Sequence, residues 1–371
     1  MFKKIVHIII GLNVGGAELM LKRLVLHSQI KGQFKHEVIS LTDLGIIGSD
    51  LKKAGIPVYT LNMKSIFSVL NVYFSLKKLL KKIKPDVVQT WMYHADLIGG
   101  FAAKSLGVKK IIWGIRTTDV GQGGSKLTII LRSICAKLSY NIPTDIVCAA
   151  HVSKNLHIDI GYDSNKMKVI PNGFELDKLV ISNQDRIKIR EECDIPQEAT
   201  VIGSVGRFNV VKDQKSFIDI AAYLTIKHPN LIFVIIGRDN TIDNIELMKW
   251  IYEKNLSNNF RLLGERNDIP KCLNAMDIFC LHSKTEGFPN VLGEAMAVGV
   301  IPVSKNVGDV SYLIPENLIA NDVKGLSCIL SNILDGGVFD VEEIIIKNRK
   351  KIENEFGIMK TVLNFESIYW R

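Results

Sequence analysis

Two basic side chains are spaced so that both can bind one diphosphate. Arg207 and Lys212 follow the apolar run Val201–Val205 in the segment GSVGRFNVVKD. A guanidinium binds two phosphate oxygens as a planar fork, whereas an ammonium binds as a compact charge. Side chains that follow a strand of a parallel sheet lie at the edge where such sheets bind ligands. The segment therefore predicts a diphosphate site; the alternative is a pair of solvated surface cations.

Two glutamates, Glu286 and Glu294, flank seven residues in SKTEGFPNVLGEAMAVG. They follow another apolar run, Ile278–Leu281. Pro289 suits the start of a helix near Asn290, whose first backbone N–H groups lack intrahelical acceptors and can face a phosphate. The carboxylates can accept hydrogen bonds from sugar or ribose hydroxyls. The alternative is an acidic pair that only complements the helix dipole.

A third candidate is the glycine-rich loop GLNVGGAE, Gly11–Glu18. Gly15 and Gly16 let backbone N–H groups approach an anion at a helix N-terminus. The loop departs from GxGxxG because Asn13 occupies the place of the second glycine. A tight turn from strand to helix remains the alternative interpretation.

Short apolar runs that alternate with helical patterns must position these candidates. The first series is Ile5–Ile10, Val38–Leu41, Val58–Leu61, Asp86–Thr90, Ile111–Ile115, Ile146–Ala150 and Lys168–Ile170. The second is Val201–Val205, Ile232–Ile236, Arg261–Leu263, Ile278–Leu281 and Val300–Val303. This alternation predicts the α/β class, with parallel sheets covered by helices on both faces.

The turn-forming segment IPNGFEL, Ile170–Leu176, separates the two series. We therefore expect one domain over residues 1–170 and a second over residues 171–351. A C-terminal helix over about 352–371 is able to pack back on the first domain.

Composition excludes several classes of protein. The chain has 371 residues, of which 47% are hydrophobic and 23% are charged. This length and composition exclude a disordered protein, a collagen and a disulfide miniprotein. Six separated cysteines without a CxxC pair argue against a zinc ribbon or a redox dithiol and favour a reducing cytosol.

The N-terminal apolar run ends in Gly-Leu-Asn, which favours a buried strand over a secretory signal. No run of 18 apolar residues occurs, so we expect no membrane-spanning helix.

Positive charge is concentrated in the first half of the chain. Residues 1–170 contain 24 Lys and Arg against 10 Asp and Glu, which leaves 23 against 28 for the remainder. The densest segment, 62–84, combines an apolar helical stripe with lysines near its end. Two interpretations stay open: a helix on an anionic membrane, or a surface helix whose stripe faces its own core. Nucleic acid is disfavoured because interleaved arginines and any known binding motif are absent. The stripe comprises Ile66, Val69, Leu70, Tyr73, Leu76, Leu80 and Ile83, and the lysines are Lys77, Lys78, Lys81, Lys82 and Lys84.

Seven motifs in order resemble the retaining nucleotide-sugar glycosyltransferases of family 4. They are GGAE, TWMYHADLIGG, WGIRTTD, IPNGFE, VGRF with Lys212, LLGERNDIP and EGFPNVLGE. The resemblance implies the GT-B architecture, in which two Rossmann-like domains with parallel sheets face each other across a cleft. Bacterial enzymes that build surface polysaccharide are the most similar members.

The resemblance also implies roles for individual residues. Arg207 and Lys212 would hold the donor diphosphate, Glu286 would touch the transferred sugar, and these three form the implied catalytic set. Glu294 would bind the ribose hydroxyls. The remaining donor contacts, largely through backbone groups, would come from Gly15, Gly16, Phe288, Asn290, Val291 and Leu292, with Gly264–Ile269 around the base. His94 and Arg116 would line the cleft toward the acceptor.

This sequence departs from the family pattern at two places. Thr117 and Thr118 follow Arg116 where many members have a histidine. Ala150 and His151 stand where many have Ser-Glu. A direct imidazole contact from the first loop, and acceptor contacts at the second, are therefore not carried over.

The resulting prediction is a retaining glycosyltransferase that uses a nucleotide-diphosphate donor, with UDP as the expected nucleotide, for O-antigen or capsule synthesis. The acceptor would be a glycan carried on a lipid diphosphate such as polyprenyl diphosphate. No DxD motif follows a strand, so we expect no obligatory metal and no cofactor beyond the nucleotide-sugar. The expected location is the cytoplasm or the inner face of the plasma membrane. The alternatives are a GT-B-fold UDP-N-acetylglucosamine 2-epimerase, a Rossmann dehydrogenase, which the missing GxGxxG disfavours, and a nucleic-acid-binding protein.

Overall fold

The computed structural model describes residues 2–30, 32–117, 126–337 and 340–371. They divide into two compact units. Unit 1 comprises Met1–Gly173 and Ile358–Arg371, and unit 2 comprises Phe174–Gly357. The chain leaves unit 1 inside the segment IPNGFEL and returns to it after Gly357.

The sheet of unit 1 is parallel throughout its described pairings, in the order β3-β2-β1-β4-β5-β6-β7. Each apolar run of the first series lies on one of these strands, which confirms the predicted α/β pattern. The strands are β1 (Lys3–Ile9), β2 (Phe34–Ser40), β3 (Val58–Thr60), β4 (Val87–Trp91), β5 (Lys110–Ile115), β6 (Asp145–Cys148) and β7 (Met167–Val169).

Helices cover both faces of this sheet. They are α1 (Gly16–Ile30), α2 (Gly45–Lys53), α3 (Val69–Ile83), α4 (Tyr93–Ser105), α5 (Lys126–Leu138) and α6 (His151–Asp159). Alternate residues of β1 enter different cores: Ile5 and Ile9 pack with residues of α1 and α2, whereas Val6 and Ile8 pack with residues of α3, α4 and α5. Burial on both faces explains why the strands are continuous apolar runs.

Unit 2 has a second parallel sheet, in the order β10-β9-β8-β11-β12-β13. Its strands are β8 (Val201–Val205), β9 (Ile232–Ile236), β10 (Phe260–Leu262), β11 (Ile278–Leu281), β12 (Ile301–Lys305) and β13 (Ile319–Ala320). Its helices are α7 (Asn183–Glu192), α8 (Gln214–Thr225), α9 (Ile245–Glu253), α10 (Ile269–Asn274), α11 (Asn290–Ala297), α12 (Val310–Leu313), α13 (Val323–Leu334) and α14 (Val341–Phe356). The sequence predicted the first five strands; β13, with two residues, is too short to form a recognisable run.

The last helix, α15 (Ile358–Trp370), belongs to unit 1 and packs on α1. Gly357 is extended and separates α15 from α14, so the returning helix begins at Ile358 rather than near residue 352. Buried polar contacts add to its apolar packing. Ser28 Oγ donates to Glu366 Oε1 at 2.8 Å, and the hydroxyl of Tyr369 donates to the side chain of Gln89.

Helix α3 buries one set of apolar side chains and exposes another. Its residues Val72, Leu76, Leu80 and Ile83 are buried in the core of unit 1, so much of the predicted stripe faces the protein. A second apolar set, Phe67, Leu70 and Phe74, is exposed to solvent. The side chain of Ile66 lies outside the described set. Among the described helices, none is long and apolar enough to cross a membrane.

Candidate active site

The strand order of unit 2 places the predicted donor residues at one edge. The chain winds outward through β9 and β10 on one side of β8, and through β12 and β13 on the other side of β11. The loops after the neighbouring strands β8 and β11 therefore leave the sheet at its topological switch point, where α/β sheets bind ligands. Arg207 and Lys212 lie in the loop after β8, and Glu286 lies in the loop after β11.

Hydrogen bonds within the loop after β8 fix its backbone. The Asn209 side chain accepts from the Val211 N–H at 3.0 Å, and the Asn209 backbone carbonyl accepts from the Lys212 N–H at 2.9 Å. Gln214, at the start of α8, donates through Nε2 to the Arg207 carbonyl at 2.9 Å. The two basic residues are thus carried by a closed turn rather than by a free loop.

Lys212 and Glu286 form a direct ion pair. The Lys212 Nζ donates to Glu286 Oε1 at 2.6 Å, and the two side chains are 28% and 13% exposed. Arg207 is exposed, and its guanidinium makes no ion pair or hydrogen bond with another residue of the described ranges. The structure therefore brings two of the three predicted catalytic residues into contact and leaves the third available to a ligand.

Gly308 supports the loop that carries Glu286 from its other side. This glycine has a φ of +59°, and a Cβ built on it would lie 2.3 Å from the Gly287 carbonyl oxygen. The neighbouring Asp309 N–H donates to the same oxygen at 2.9 Å. A residue without a side chain is needed here because the two backbones approach this closely.

Helix α11 begins directly after this loop, with Pro289 as its N-cap. Asn290, Val291 and Leu292 occupy its first turn, where backbone N–H groups have no acceptor within the helix. Leu292 is fully buried, and Phe288 is buried with its ring centroid 6.0 Å from Phe174 and 5.5 Å from Phe356. The side chains of Phe288 and Leu292 therefore belong to the core, and their backbone amides are the groups that a ligand can use. The half-buried Glu294 lies on the same helix.

Sequence reasoning missed two further cations near this edge. The Nζ atoms of Lys284 and Lys305 each lie 3.9 Å from the carboxylate of Asp213. Lys284 follows β11 and Lys305 is the last residue of β12. Their positions after apolar runs were the sequence signal that could have identified them as site residues. With Arg207 and Lys212 they place four cationic side chains at an edge that also holds Asp213 and Glu286, which favours an anionic ligand.

The first loop and His94 lie in unit 1. Gly15 precedes α1 and Gly16 begins it, and a Cβ on Gly15 would lie 2.4 Å from a carboxylate oxygen of Glu18. The Glu18 carboxylate therefore lies against this turn, and burial raises its pKa. His94 is half-buried in the first turn of α4, after β4, and burial lowers its pKa.

Arg116 follows β5 and is packed against two aromatic rings. Its guanidinium lies 4.8 Å from the ring centroid of Trp91 and 5.4 Å from that of Phe365. Nη1 donates to the Asn172 side chain at 3.1 Å, and burial lowers the arginine pKa to about 10. Nε and Nη2 are buried without a hydrogen-bond partner in the described part of the chain. Thr118, which the sequence comparison with the family singled out, lies outside the described residues.

Metal ligands do not cluster within the ranges that the structure describes. No group of three or more His, Cys, Asp and Glu side chains there is arranged to hold a metal ion. The prediction that no metal is required stays a prediction for experiment.

Models of two protein families match the chain. Glycosyl transferases group 1 matches residues 185–328, and Glycosyltransferase Family 4 matches residues 14–178. The Escherichia coli UDP-Gal:alpha-D-GlcNAc-diphosphoundecaprenol alpha-1,3-galactosyltransferase is 28% identical over 315 residues, 82% of this chain and 80% of that relative. The Staphylococcus aureus capsular polysaccharide biosynthesis glycosyltransferase CapH is 25% identical over 307 residues, 82% of this chain and 81% of that relative.

A solved structure is similar over almost the whole chain. Anabaena Alr3699/HepE, crystallised with UDP and glucose, aligns with a TM-score of 0.82 and 21% identity over 98% of both chains. At this identity the likeness establishes the fold alone. It confirms the predicted GT-B fold class.

Proposed function

The chain belongs to the family 4 glycosyltransferases, and on that premise we propose that it moves a sugar from a UDP-linked donor to a lipid-diphosphate-linked glycan with retention of anomeric configuration. The polysaccharide made would be a surface polymer such as capsule or O-antigen. The relatives named for an undecaprenol-diphosphate acceptor and for capsule synthesis support these choices. The first of them is also named for a UDP-sugar, which supports the nucleotide.

The observation that carries the proposal is the arrangement at the switch point of unit 2. Lys212 contacts Glu286, Arg207 is available nearby in sequence, and the first turn of α11 follows Glu286. Cations and backbone N–H groups at this edge suit a diphosphate, and the carboxylate suits sugar hydroxyls. We assign the diphosphate to Arg207, Lys212 and α11, the sugar to Glu286, and the ribose to Glu294.

The chemistry of the transfer follows from this assignment. The bond between the anomeric carbon and the β-phosphate oxygen breaks, and the acceptor oxygen bonds to the same face of the sugar. The departing phosphate takes the acceptor proton, and Arg207 and Lys212 stabilise the charge that grows on it. Preorganised charges of this kind are often the largest contribution to catalysis.

We further propose that unit 1 works at an anionic membrane surface. Helix α3 exposes Leu70 and Phe74 next to the exposed Phe67, and lysines follow along the same helix. Apolar side chains that enter the interface together with cations that meet anionic headgroups give such helices their affinity. A lipid-linked acceptor would be presented at this surface.

Donor screening and two substitutions test the proposal. A panel of UDP- and GDP-sugars should reveal a donor by an upward thermal shift, because a ligand that binds only the folded state stabilises it. With that donor, Arg207→Ala and Lys212→Ala should each lower transfer by roughly 10²-fold or more. Lys249→Ala, which removes an exposed ammonium from α9, is the matched control.

Three outcomes would contradict the proposal. Normal transfer by both variants would reject the assigned diphosphate site. Donor consumption that does not depend on an acceptor would favour the epimerase. Steep salt-dependent binding of DNA without any response to nucleotide-sugars would favour the nucleic-acid-binding alternative.

A further inference from the structure

The backbone on both sides of Lys212 is attached to the loop after β11. The Val211 carbonyl, which precedes Lys212, accepts from the Lys284 N–H at 2.8 Å. The Asp213 carbonyl, which follows it, is 3.0 Å from His282 Nδ1. Lys212 is therefore bracketed by two bonds to the segment that leads into Glu286, in addition to the ion pair of its own side chain.

Both ring nitrogens of His282 and one face of its ring contact neighbouring residues. It is 2% exposed, its Nε2 lies 2.6 Å from Ser204 Oγ on β8, and its ring stacks on Phe217 of α8 at 4.9 Å. Because a carbonyl can only accept, Nδ1 carries the proton and Nε2 accepts from the Ser204 hydroxyl. This neutral tautomer persists at neutral pH, since burial lowers the pKa of His282 to about 4.

The partner of His282 has an unusual backbone. Asp213 is the N-cap of α8 and has φ 57° and ψ 47°, the left-handed region that residues other than glycine seldom occupy. Its carboxylate accepts from Ser216 Oγ at 2.7 Å. The bond from His282 helps hold the residue after Lys212 in this conformation.

From this geometry we infer that His282 is a positioning residue for the donor diphosphate. It joins β8, the Asp213 carbonyl and the loop after β11, and so fixes where the Lys212 backbone lies relative to Glu286. The inference rests on the proposed function, because Lys212 must meet the diphosphate for its position to matter. If His282 had only a structural role, replacing it would affect the folding of unit 2, and any effect on UDP binding would not depend on Lys212.

A double-mutant cycle separates these two roles. UDP affinity is measured by calorimetry on the full chain for the unaltered protein, His282→Phe, Lys212→Met and the double variant. Phenylalanine keeps a ring against Phe217 and removes both hydrogen bonds. We expect His282→Phe to weaken UDP binding roughly tenfold when Lys212 is present and less than about twofold when it is absent, because residues that act through one another are not additive.

Two milder variants keep the test informative where His282→Phe folds poorly. His282→Asn can still donate to the Asp213 carbonyl from near the Nδ1 position, and it should retain UDP affinity within about threefold of the unaltered chain. Ser204→Ala removes only the bond to Nε2 and should weaken binding by about two- to threefold, again only when Lys212 is present. Leu330→Ala, in the core on α13, is the control for general destabilisation and should leave UDP affinity unchanged.

The outcomes distinguish this inference from the proposed function. An equal loss of affinity from His282→Phe in both backgrounds, or no loss in a folded variant, would overturn the positioning role alone. UDP binding by Lys212→Met as tight as by the unaltered chain would overturn the proposed diphosphate site and the inference with it. Loss confined to the background that retains Lys212, with recovery in His282→Asn, would support both.

Discussion

Replacing Glu286 by glutamine is expected to tighten the binding of UDP while it abolishes sugar transfer. Lys212 is paired with the Glu286 carboxylate at 2.6 Å, so a diphosphate must compete with this carboxylate for the ammonium. Glutamine has nearly the same shape but no charge, and it leaves Lys212 free for phosphate. The sugar would lose a charged acceptor at the same time.

The size of the effect follows from the geometry of the pair. A hydrogen bond to a charged group contributes about 1.5–3 kcal/mol. The side chains are 28% and 13% exposed, so solvent screening reduces the net cost of breaking the pair to about 1–1.5 kcal/mol. Because about 1.4 kcal/mol corresponds to a factor of ten, UDP should bind roughly five- to twelvefold more tightly.

Calorimetry with UDP and a transfer assay with the complete donor measure the two effects. Glu253→Gln on α9 removes the same charge from an exposed pair with Lys249 and should change neither quantity. Both measurements are made at the same ionic strength because surface attraction of UDP depends on salt. Unchanged or weaker UDP binding by Glu286→Gln would refute the competition, even if transfer were lost.

Four further predictions concern metal dependence, the membrane, the loop support and pH. Transfer should be undiminished in EDTA, and a loss that Mn²⁺ or Mg²⁺ restores would contradict the metal-free mechanism. Phe74→Ser should weaken cosedimentation with anionic liposomes, whereas Ile226→Ser, an exposed residue of unit 2, should not; binding indifferent to anionic lipid and to salt would leave α3 as an ordinary surface helix. Gly308→Ala should lower the melting temperature and transfer more than Gly336→Ala, because both glycines have positive φ but only Gly308 is crowded; equal losses would refute the crowding argument. The free energy of unfolding should fall as pH drops from 6.5 toward about 4. Burial keeps three histidines neutral in the folded chain, and the same histidines take up protons when the chain unfolds. A flat profile over this range in chemical denaturation would contradict the burial of these rings. These histidines are His36, His157 and His282.

Much of the fold could be predicted from the sequence because buried parallel strands carry a strong local signal. The runs at Val201–Val205, Ile232–Ile236 and Ile278–Leu281 coincide with β8, β9 and β11 residue for residue. The signal fails for β13, whose two residues pair with β12 only through contacts distant in the chain. It also left α3 ambiguous, since the apolar residues of one helix divide between core and solvent.

The amino-acid sequence by itself determined which chemical groups follow which strands: Arg207 and Lys212 after β8, and Glu286 after β11. Only the tertiary structure decided that Lys212 contacts Glu286 and that His282 lies between their loops. Residues 74 positions apart meet because β8 and β11 are neighbours in the sheet, and strand order depends on packing across the whole unit. Local patterns record the type and period of side chains, whereas the distances between functional groups depend on non-local pairing, which no short segment encodes.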